Sequence, residues 1–338
     1  MKALVCYGDG KMEFEDIPKP QVIPGHALIK VKATGICGTD RSIFAGEGPP
    51  WTKYPIVPGH EVSGTIEMIS SDDRYFNIGD NVAVDNYLRC GLCWYCKNGH
   101  YFLCDHHAEV GMTINGGFAE YCLVPCTNLV PVPENVSVFD AVLTEPVANA
   151  LRACRAARIS FDSTVVVLGC GPLAVLVALV AKLMGAKVII VGRGNRLKRI
   201  RNMDLDVIID SSKQDWITEI HKATNQQKVD VVFDITGSSK LVCSAIGLLR
   251  KKGRVILMGV SKNNAEIPMM DIVLKEIELL GKVSGMGYFE EAINLMTTRR
   301  IDPSLVITHT YPLDNFFDAL KAEQERFEGA IKISIVQD

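Results

Sequence analysis

The sequence predicts an α/β protein with two domains, one a mostly antiparallel β domain and the other built on a doubly wound parallel sheet. Three observations support this. The 338 residues exceed what one hydrophobic core usually holds. The N-terminal region alternates apolar and polar residues, whereas an apolar run from Ser163 leads into a glycine turn and a helical pattern. The expected bounds are 1–147 for the β domain, 148–287 for the parallel-sheet domain, and 288–338 for a return to the β domain.

The β domain is predicted from period-two patterning. Residues Ala27–Ala33 alternate apolar and polar side chains, and prolines and Gly25 separate this run from its neighbours. Such alternation is typical of antiparallel strands with one solvated face. Strand character resumes at Val62–Ile69.

Composition and charge exclude several classes of protein. Hydrophobic residues make up 48% of the chain, charged residues 22%, and the formal net charge is −3. No basic field indicates binding to nucleic acid or a membrane surface. The N-terminal apolar run is too short for a signal peptide, and Leu173–Met184 contains Lys182 and is shorter than the roughly 20 residues of a membrane span. We therefore expect a cytoplasmic protein.

Four cysteines lie close together in the segment 86–106. Their short C-x-x-C spacings suit a tetrahedral zinc ion, which takes four thiolates at about 2.3 Å, better than disulfides or chance clustering. A full shell of four sulfurs leaves no open position, so this zinc would be structural. The four ligands are Cys90, Cys93, Cys96 and Cys104. Six of the seven remaining cysteines lie in apolar or strand-like surroundings and are predicted to be small buried hydrophobes: Cys6, Cys122, Cys126, Cys154, Cys170 and Cys243.

A second metal site is predicted from sparser residues. Cys37, His60 and Glu61 offer a thiolate, an imidazole and a carboxylate, each near glycines that let the backbone turn. Three protein ligands and one open position are typical of a catalytic zinc.

The parallel-sheet domain opens with a dinucleotide-binding pattern. The apolar strand 163–168 precedes Gly169 and Gly171, and Pro172 and Leu173 begin a helix that runs to Met184. In a Rossmann fold these glycines allow a tight turn and the approach of a pyrophosphate to the helix N-terminus. A second strand follows at 187–191.

The end of that second strand favours NADP(H) over NAD(H). A carboxylate that would bind the ribose hydroxyls is absent, and Gly192, Arg193 and Arg196 follow instead. The guanidinium of Arg193 matches the geometry of a 2′-phosphate, although these basic residues also fit an ordinary solvated helix start. Later strands are predicted at 207–209, 229–233, 254–258 and 277–281, a helix at 288–296 and a closing strand at 327–334. Loops after two of these strands are expected to flank the nicotinamide and its ribose, through Thr236, Gly237, Gly259 and Val260.

A series of motifs along the whole chain resembles the zinc-dependent medium-chain dehydrogenases, in particular their polyol, threonine and sugar dehydrogenase branch. Each motif alone is weak, but their shared order is specific. The motifs are Gly35-Ile-Cys-Gly-Thr-Asp40, Pro58-Gly-His-Glu61, Gly79-Asp-Asn-Val82, the four-cysteine segment, Gly116-Gly-Phe-Ala-Glu-Tyr121 and Glu145-Pro146.

The resemblance implies a GroES-like catalytic domain, two zinc ions per subunit and roles for individual residues. Cys37 and His60 would be catalytic zinc ligands, and either Glu61 or Glu145 would be the third. Asp40 would orient His60, and Thr39 would hydrogen-bond the reacting oxygen. Many relatives carry relay histidines near positions 42 and 152, where this chain has Ser42 and Arg152.

We therefore predict a zinc-dependent alcohol dehydrogenase that oxidises a secondary alcohol of a polyol, sugar or cyclitol, or reduces the ketone, with NADP(H). The alternatives are a threonine-type amino-alcohol dehydrogenase, a zinc-ribbon nucleic-acid binder and a non-catalytic NADP(H)-binding structural or sensor protein. The acidic net charge and the single cysteine segment argue against the nucleic-acid binder. The resemblance also implies a homodimer or a homotetramer.

Overall fold

A computed structural model of the chain describes residues 1–70 and 75–338, which divide into two compact units. The first unit comprises Met1–Ala148, Met286–Glu325 and Lys332–Asp338, and the second comprises Asn149–Gly285 and Arg326–Ile331. The expected bounds differ from these by at most two residues, except that 326–331 groups with the second unit.

Hydrogen bonds from two arginines explain the grouping of 326–331. The Nε of Arg196 donates to the carbonyl oxygen of Ala330 at 2.6 Å, and the Nε of Arg199 donates to that of Glu328 at 3.0 Å. These contacts join residues more than a hundred positions apart in the chain. No local pattern in the sequence indicates them.

The first 156 residues are mostly β-structure with short helices. Strand burial follows the predicted alternation from Ile29 onward, since Ile29, Val31 and Ala33 are buried while Lys30 and Lys32 are half-buried; Leu28 is an exception and is buried. The elements are β1 (Lys2–Cys6), β2 (Met12–Asp16), β3 (His26–Gly35), α1 (Gly38–Phe44), β4 (Glu61–Ile69), β5 (Asn81–Val84), β6 (Tyr87–Leu88), α2 (Trp94–Lys97), β7 (Ala108–Glu109), β8 (Tyr121–Pro125), β9 (Leu129–Pro131) and α3 (Thr144–Ala156).

The second unit alternates strands and helices. Its six strands are all parallel, in the order β12–β11–β10–β13–β14–β15, so the chain winds outward in both directions from the pair β10 and β13. The predicted strand 254–258 begins earlier, because Leu249 already pairs with Val229. The elements are β10 (Thr164–Leu168), α4 (Pro172–Leu183), β11 (Lys187–Gly192), α5 (Arg196–Ile200), β12 (Val207–Asp210), α6 (Trp216–Ala223), β13 (Val229–Asp234), α7 (Ser239–Leu248), β14 (Leu249–Leu257), α8 (Met269–Lys275) and β15 (Glu278–Gly281).

The C-terminal part completes the sheet of the first unit. Its elements are α9 (Phe289–Thr297), β16 (Ile307–Pro312), α10 (Phe316–Glu325) and β17 (Lys332–Val336). The sheet runs β16–β17–β3–β4–β5–β9, and β8 also pairs with β3; only β16 and β17 are parallel. The predicted closing strand 327–334 begins only at Lys332, because Arg326 and Glu328 have left-handed φ values of 54° and 46°.

Each unit has its own apolar core. In the first unit, the buried residues include Ile29, Val62 and Val82, which come from three neighbouring strands. In the second unit, they include Val166, Ile189 and Val232. Of the cysteines predicted to be buried, Cys243 is the exception, because it lies half-exposed on α7, where its Sγ donates to the carbonyl oxygen of Glu266 at 2.6 Å. Among the described residues, no helix has the length and apolarity needed to cross a membrane.

Asp85 provides a test of the fold through the pH dependence of stability. It lies between β5 and β6, where burial raises its pKa to about 6, against the hydrogen bond from Tyr87 and the charge of Arg89. Between the unfolded pKa near 4 and this value the folded state binds more protons. The free energy of unfolding therefore falls as pH rises through this window and stays lower above it.

We expect Asp85→Asn to remove this pH dependence. At about pH 7.5 the variant should be more stable than the wild type by about 1 to 3 kcal/mol, and at about pH 4 the two should differ little. Urea unfolding at both pH values measures the difference. Equal stabilities at neutral pH would contradict the raised pKa of Asp85.

Candidate functional site

The four cysteines of the segment 86–106 come together around one point. Their Sγ atoms all lie within 4.8 Å of one another, and all four are free thiols. Backbone N–H groups of Leu92 and Cys93 donate to the Sγ of Cys90 at 3.4 Å, and that of Cys90 donates to the Sγ of Cys104 at 3.3 Å. Backbone N–H groups that donate to a sulfur stabilise its deprotonated thiolate form relative to the thiol.

The negative charge of four thiolates at this point would have to be balanced by a cation. The amide donors lower the pKa of Cys90 to about 6, while burial and the neighbouring Cys93 raise the pKa of Cys96 to about 12. Four thiolates this close repel one another unless a positive ion lies among them. Tetrahedral zinc–sulfur bonds of about 2.3 Å would place the sulfurs about 3.8 Å apart, a separation within the 4.8 Å limit that the four Sγ atoms satisfy.

A second group of ligand atoms comes from Cys37, His60 and Glu61, which also lie within 4.8 Å of one another. Cys37 is the residue before α1, and Glu61 opens β4 opposite Gly35 of β3. A Cβ on Gly35 would lie 1.9 Å from the carboxylate of Glu61. Only glycine at position 35 therefore lets this carboxylate lie against β3.

Asp40 faces both Cys37 and His60. Its fully buried carboxylate accepts the N–H of Cys37 at 2.8 Å, and its other oxygen lies 3.5 Å from the Nδ1 of His60. Burial opposes a charged imidazole, but the charges of Asp40 and Cys37 outweigh it and raise the pKa of His60 well above its usual range. The hydroxyl of Thr39 lies 3.8 Å from the Sγ of Cys37.

Lys332 is a site residue that was not predicted from the sequence. Its Nζ donates to both carboxylate oxygens of Glu61, at 2.6 and 2.7 Å, and to the carbonyl oxygen of Ile36 at 3.1 Å. The Lys332 and Glu61 side chains are 2% and 1% exposed. A lysine within the otherwise apolar run of β17 is a signal that could have indicated a buried acidic partner.

Glu145 lies near the same ammonium group. Burial alone would lower the pKa of Lys332, but the charges of Glu61, Cys37 and Glu145 raise it. Glu145 is itself buried, in the first turn of α3. Two residues were predicted as the third ligand. Glu61 offers an oxygen within 4.8 Å of the ligand atoms of Cys37 and His60. The charge of Glu145 acts on the ammonium group of Lys332.

The glycine turn of the second unit has the geometry of an anion site. Gly169 has a φ of +124°, which favours glycine, and Gly171 precedes α4, whose first residue is Pro172. The free N–H groups of the first helical turn can face an anion. Leu173, the second residue of α4, is half-buried.

Three further positions at the strand ends also lie close together. The hydroxyl of Thr236 donates to Asp234 at 2.6 Å, and the N–H of Gly237 donates to the same carboxylate at 3.2 Å. A Cβ on Gly259 would lie 2.0 Å from the nitrogen of Gly237, so the two loops touch. Val260 is 93% exposed.

The two basic residues expected at the cofactor differ in their surroundings. Arg196 is buried and bound through its Nε to Ala330, and one of its terminal nitrogens would lie 3.7 Å from a Cβ on Gly171. Arg193 follows Gly192 and is exposed, and the structure gives its side chain no ion pair with another described residue. Gly192 allows close packing, because a Cβ there would lie 2.5 Å from the Cβ of Cys170.

Arg152 occupies one of the two positions where many resembling proteins have a relay histidine. It is buried, and its guanidinium donates to the carbonyl oxygens of Val283 and Ser284, the latter at 3.0 Å. A guanidinium does not give up its proton in proteins. Arg152 therefore has a structural role and cannot relay protons.

Two protein families match the chain. Residues 23–134 match the alcohol dehydrogenase GroES-like domain, and residues 172–298 match the zinc-binding dehydrogenase family.

Curated relatives match almost the full length. The chain is 34% identical to a sorbitol dehydrogenase of Halalkalibacterium halodurans, over 95% of this chain and 96% of that protein. It is 32% identical to a D-arabitol-phosphate dehydrogenase of Enterococcus avium, over 97% of this chain and 94% of that protein. It is 30% identical to an L-threonine 3-dehydrogenase of Rhizobium etli, over 98% and 97%.

Solved structures of similar fold contain either nicotinamide cofactor. An alcohol dehydrogenase of Escherichia coli with NADH superposes with a TM-score of 0.93 at 27% identity, covering 100% of this chain and 99% of that one. A zinc-binding dehydrogenase of Sinorhizobium meliloti with NADP superposes with a TM-score of 0.92 at 28% sequence identity, covering 99% of each chain. Three observations therefore point to the same family: the two family matches, the two groups of metal-ligand atoms, and the relatives that match almost the full length. The chain belongs to the zinc-dependent medium-chain dehydrogenase family, in its polyol and threonine dehydrogenase branch, and is an oxidoreductase that acts on CH–OH groups.

Proposed function

We propose that this enzyme oxidises a secondary alcohol of a polyol, sugar or cyclitol, or reduces the matching ketone, by hydride transfer with NADP(H). The observation that carries the proposal is the grouping of Cys37, His60 and Glu61 ligand atoms within 4.8 Å. The 34% identity to a sorbitol dehydrogenase supports the substrate class. The 30% identity to a threonine dehydrogenase keeps an amino alcohol as the second candidate.

The residues of this group fit a catalytic zinc. Cys37 and His60 would hold it, and Glu61 or Glu145 would complete the protein ligands. A zinc ion bound here would act as a Lewis acid that lowers the pKa of a substrate hydroxyl, and nicotinamide would accept the hydride. Asp40 would hold the ring of His60 in one orientation, as acceptors beside metal-bound imidazoles do.

Thr39 is the residue proposed to handle the substrate proton. Its hydroxyl lies 3.8 Å from the Sγ of Cys37 and so can reach an oxygen bound beside that sulfur. The proton path would then start at Thr39 without the usual histidines.

The four-cysteine group would hold a second, structural zinc. Its ligands are Cys90, Cys93, Cys96 and Cys104, whose sulfurs fill a tetrahedral shell. None of the eleven cysteines forms a disulfide bond in the part of the chain that the structure describes, which supports a reducing compartment such as the cytoplasm.

Arg193 supports the choice of NADP(H). It is exposed directly after β11, whereas Asp210, the nearest carboxylate at the adjacent strand end, accepts bonds from the backbone N–H and the hydroxyl of Ser212. Asp210 is thus engaged with its own turn. The guanidinium would be available to a 2′-phosphate.

We further propose a homodimer or homotetramer. β15 lies at the edge of the six-stranded sheet, and α8 exposes several large apolar side chains. Sheet edges and exposed apolar patches of this kind mark interfaces between subunits. The exposed residues are Met269, Met270, Val273 and Leu274.

Cysteine variants test the two metal sites separately. Cys37→Ser should lose one zinc and lower kcat by about a thousandfold in a protein that still folds, because only the catalytic ion is removed. Cys96→Ser should lose the other zinc and lower Tm, because the closed site contributes to folding. Metal analysis, thermal unfolding and assays with polyols and both cofactors provide the readouts.

Cys122→Ser, a buried thiol outside both groups, is the matched control and should keep two zinc ions. Full metal content and turnover in Cys37→Ser would overturn the catalytic site.

Arg193→Ala tests the cofactor preference. We expect kcat/KM with NADP to fall about 10- to 100-fold and that with NAD to change little, since hydrogen bonds to a charged group contribute about 1.5 to 3 kcal/mol. Lys198→Ala, an exposed basic residue of α5, is the control and should leave the ratio unchanged. A wild-type preference for NAD would contradict the proposal.

Lys332→Met tests the buried ion pair. Removing one partner leaves a buried charge uncompensated, so the free energy of unfolding should fall by about 3 to 5 kcal/mol. The double variant Glu61→Gln/Lys332→Met should be more stable than Lys332→Met, because both charges are then absent. Lys11→Met breaks the exposed pair with Glu13 and should cost less than about 1 kcal/mol. Additive effects of the two buried substitutions would show that the charges do not interact.

A further inference from the structure

Glu109 is a buried carboxylate in the first unit to which the proposed function assigns no role. It is 2% exposed, and a Cβ on Gly111, two residues further along the chain, would lie 2.9 Å from the backbone of Gly59, the residue before His60. The Nε1 of Trp51 donates to one of its oxygens at 3.1 Å, and the Nδ2 of Asn86 donates to the other at 3.1 Å. A buried carboxylate beside a metal-ligating group is a candidate for substrate contact.

The position of Glu109 is set by the short β6–β7 pair. Glu109 pairs with Tyr87 across these strands, and its backbone N–H donates to the hydroxyl of Thr113 at 2.6 Å. The loop between the two strands is the four-cysteine segment. The proposed structural zinc therefore closes the loop that carries this carboxylate.

His107 comes directly before β7 and joins the same cluster. Its Nδ1 lies 3.1 Å from the carbonyl oxygen of Cys104, and its ring stacks on Tyr87 with centroids 6.0 Å apart. The edge of Trp51 contacts it at a centroid distance of 5.1 Å. Because the carbonyl can only accept, Nδ1 of His107 donates this hydrogen bond and Nε2 is left for another partner.

Two buried polar atoms of the cluster have no hydrogen-bond partner among the described residues. A carboxylate only accepts, so the amide nitrogen of Asn86 faces Glu109 and its Oδ1 points elsewhere. This Oδ1 and the Nε2 of His107 are both buried and have no hydrogen-bond partner among the described residues. Asn86 itself is 1% exposed. Buried acceptors without donors cost about 1 to 3 kcal/mol each unless a ligand supplies the donors.

We propose that Trp51, Asn86, His107 and Glu109 form a substrate subsite that binds a hydrogen-bond donor, either a second hydroxyl or an ammonium group, next to the reacting carbon. The inference rests on the proposed function and specifies its substrate class. The negative charge of Glu109 and the free acceptors disfavour a phosphate or carboxylate at this position. Trp51 is 41% exposed.

This subsite distinguishes among the substrates of the relatives. It favours an unphosphorylated polyol or an amino alcohol over a phosphorylated polyol, and it disfavours a simple alcohol that has no second donor. A site built to hydrogen-bond a substrate group rejects analogues that lack the group much more strongly than an apolar pocket rejects a size change.

A matched series of secondary alcohols tests the proposal. Isopropanol, propylene glycol, isopropanolamine and the phosphate ester of propylene glycol share the reacting carbon and differ in one neighbouring group. In the wild type, kcat/KM should be highest for the glycol or the amine, which separates the two donor types, and lowest for the phosphate. In Glu109→Gln, the preference for the best donor over isopropanol should fall about 10- to 100-fold, and the penalty on the phosphate should shrink.

A binding measurement separates this proposal from the proposed function. Calorimetric titration of the zinc-loaded wild type and Glu109→Gln with sorbitol should show about tenfold or greater loss of affinity in the variant. Glu134→Gln, an exposed glutamate of the same unit, is the control and should behave as the wild type. Metal content should be equal in all three proteins.

Each outcome decides one of the two proposals. If Glu109→Gln weakens sorbitol binding while no alcohol is oxidised with either cofactor, the proposed function fails and the subsite stands. An unchanged preference in Glu109→Gln or a wild-type preference for the phosphate ester would overturn the subsite, as would binding of neither sorbitol nor isopropanolamine.

Discussion

The buried ion pair between Glu61 and Lys332 is the interaction on which the architecture of the first unit depends. It joins residues 271 positions apart and links the first residues of β4 and β17. Removing two charges from water costs several kcal/mol per ion, which only close contact and further hydrogen bonds offset. Lys332 meets this requirement with both oxygens of Glu61 and the carbonyl oxygen of Ile36. The last strand of the chain must therefore be in place before the metal-ligating group near Cys37 and His60 has its final charge balance.

We propose that the four-cysteine segment has a wider role than holding one ion. Four sulfurs around a zinc ion would leave no position for a substrate, so the segment would take no direct part in the chemistry. It does close the loop between β6 and β7, and these strands position Glu109 and His107. Stabilising this loop with a metal would fix the buried acceptors that we propose bind the substrate. The proposed structural zinc site and the proposed substrate subsite are thus connected by a few residues of backbone.

In the second unit, burial gives two similar residues different roles. Arg193 and Arg196 both follow β11, but Arg196 is buried and bound to Ala330, whereas Arg193 is exposed. Arg196 holds residues 326–331 against α5, whereas Arg193 would be available to the cofactor phosphate that we propose. Arg152 shows the same principle, because its bonds to Val283 and Ser284 make it part of the structure.

Features set by local chemistry were predictable from the sequence alone. The spacing of Cys90, Cys93, Cys96 and Cys104 is short enough for a few turns to bring the sulfurs together, and an apolar strand, a glycine turn and a helix at 163–184 form a unit of neighbouring residues. The family motifs also identified Cys37, His60 and Glu61 as neighbours. Only the tertiary structure revealed the partner of Glu61, the grouping of 326–331 with the second unit, the burial of Arg196, and the cluster around Glu109. Each of these depends on contacts between residues far apart in the chain, and the free energy of such contacts comes from burial and charge balance, which a local pattern does not encode.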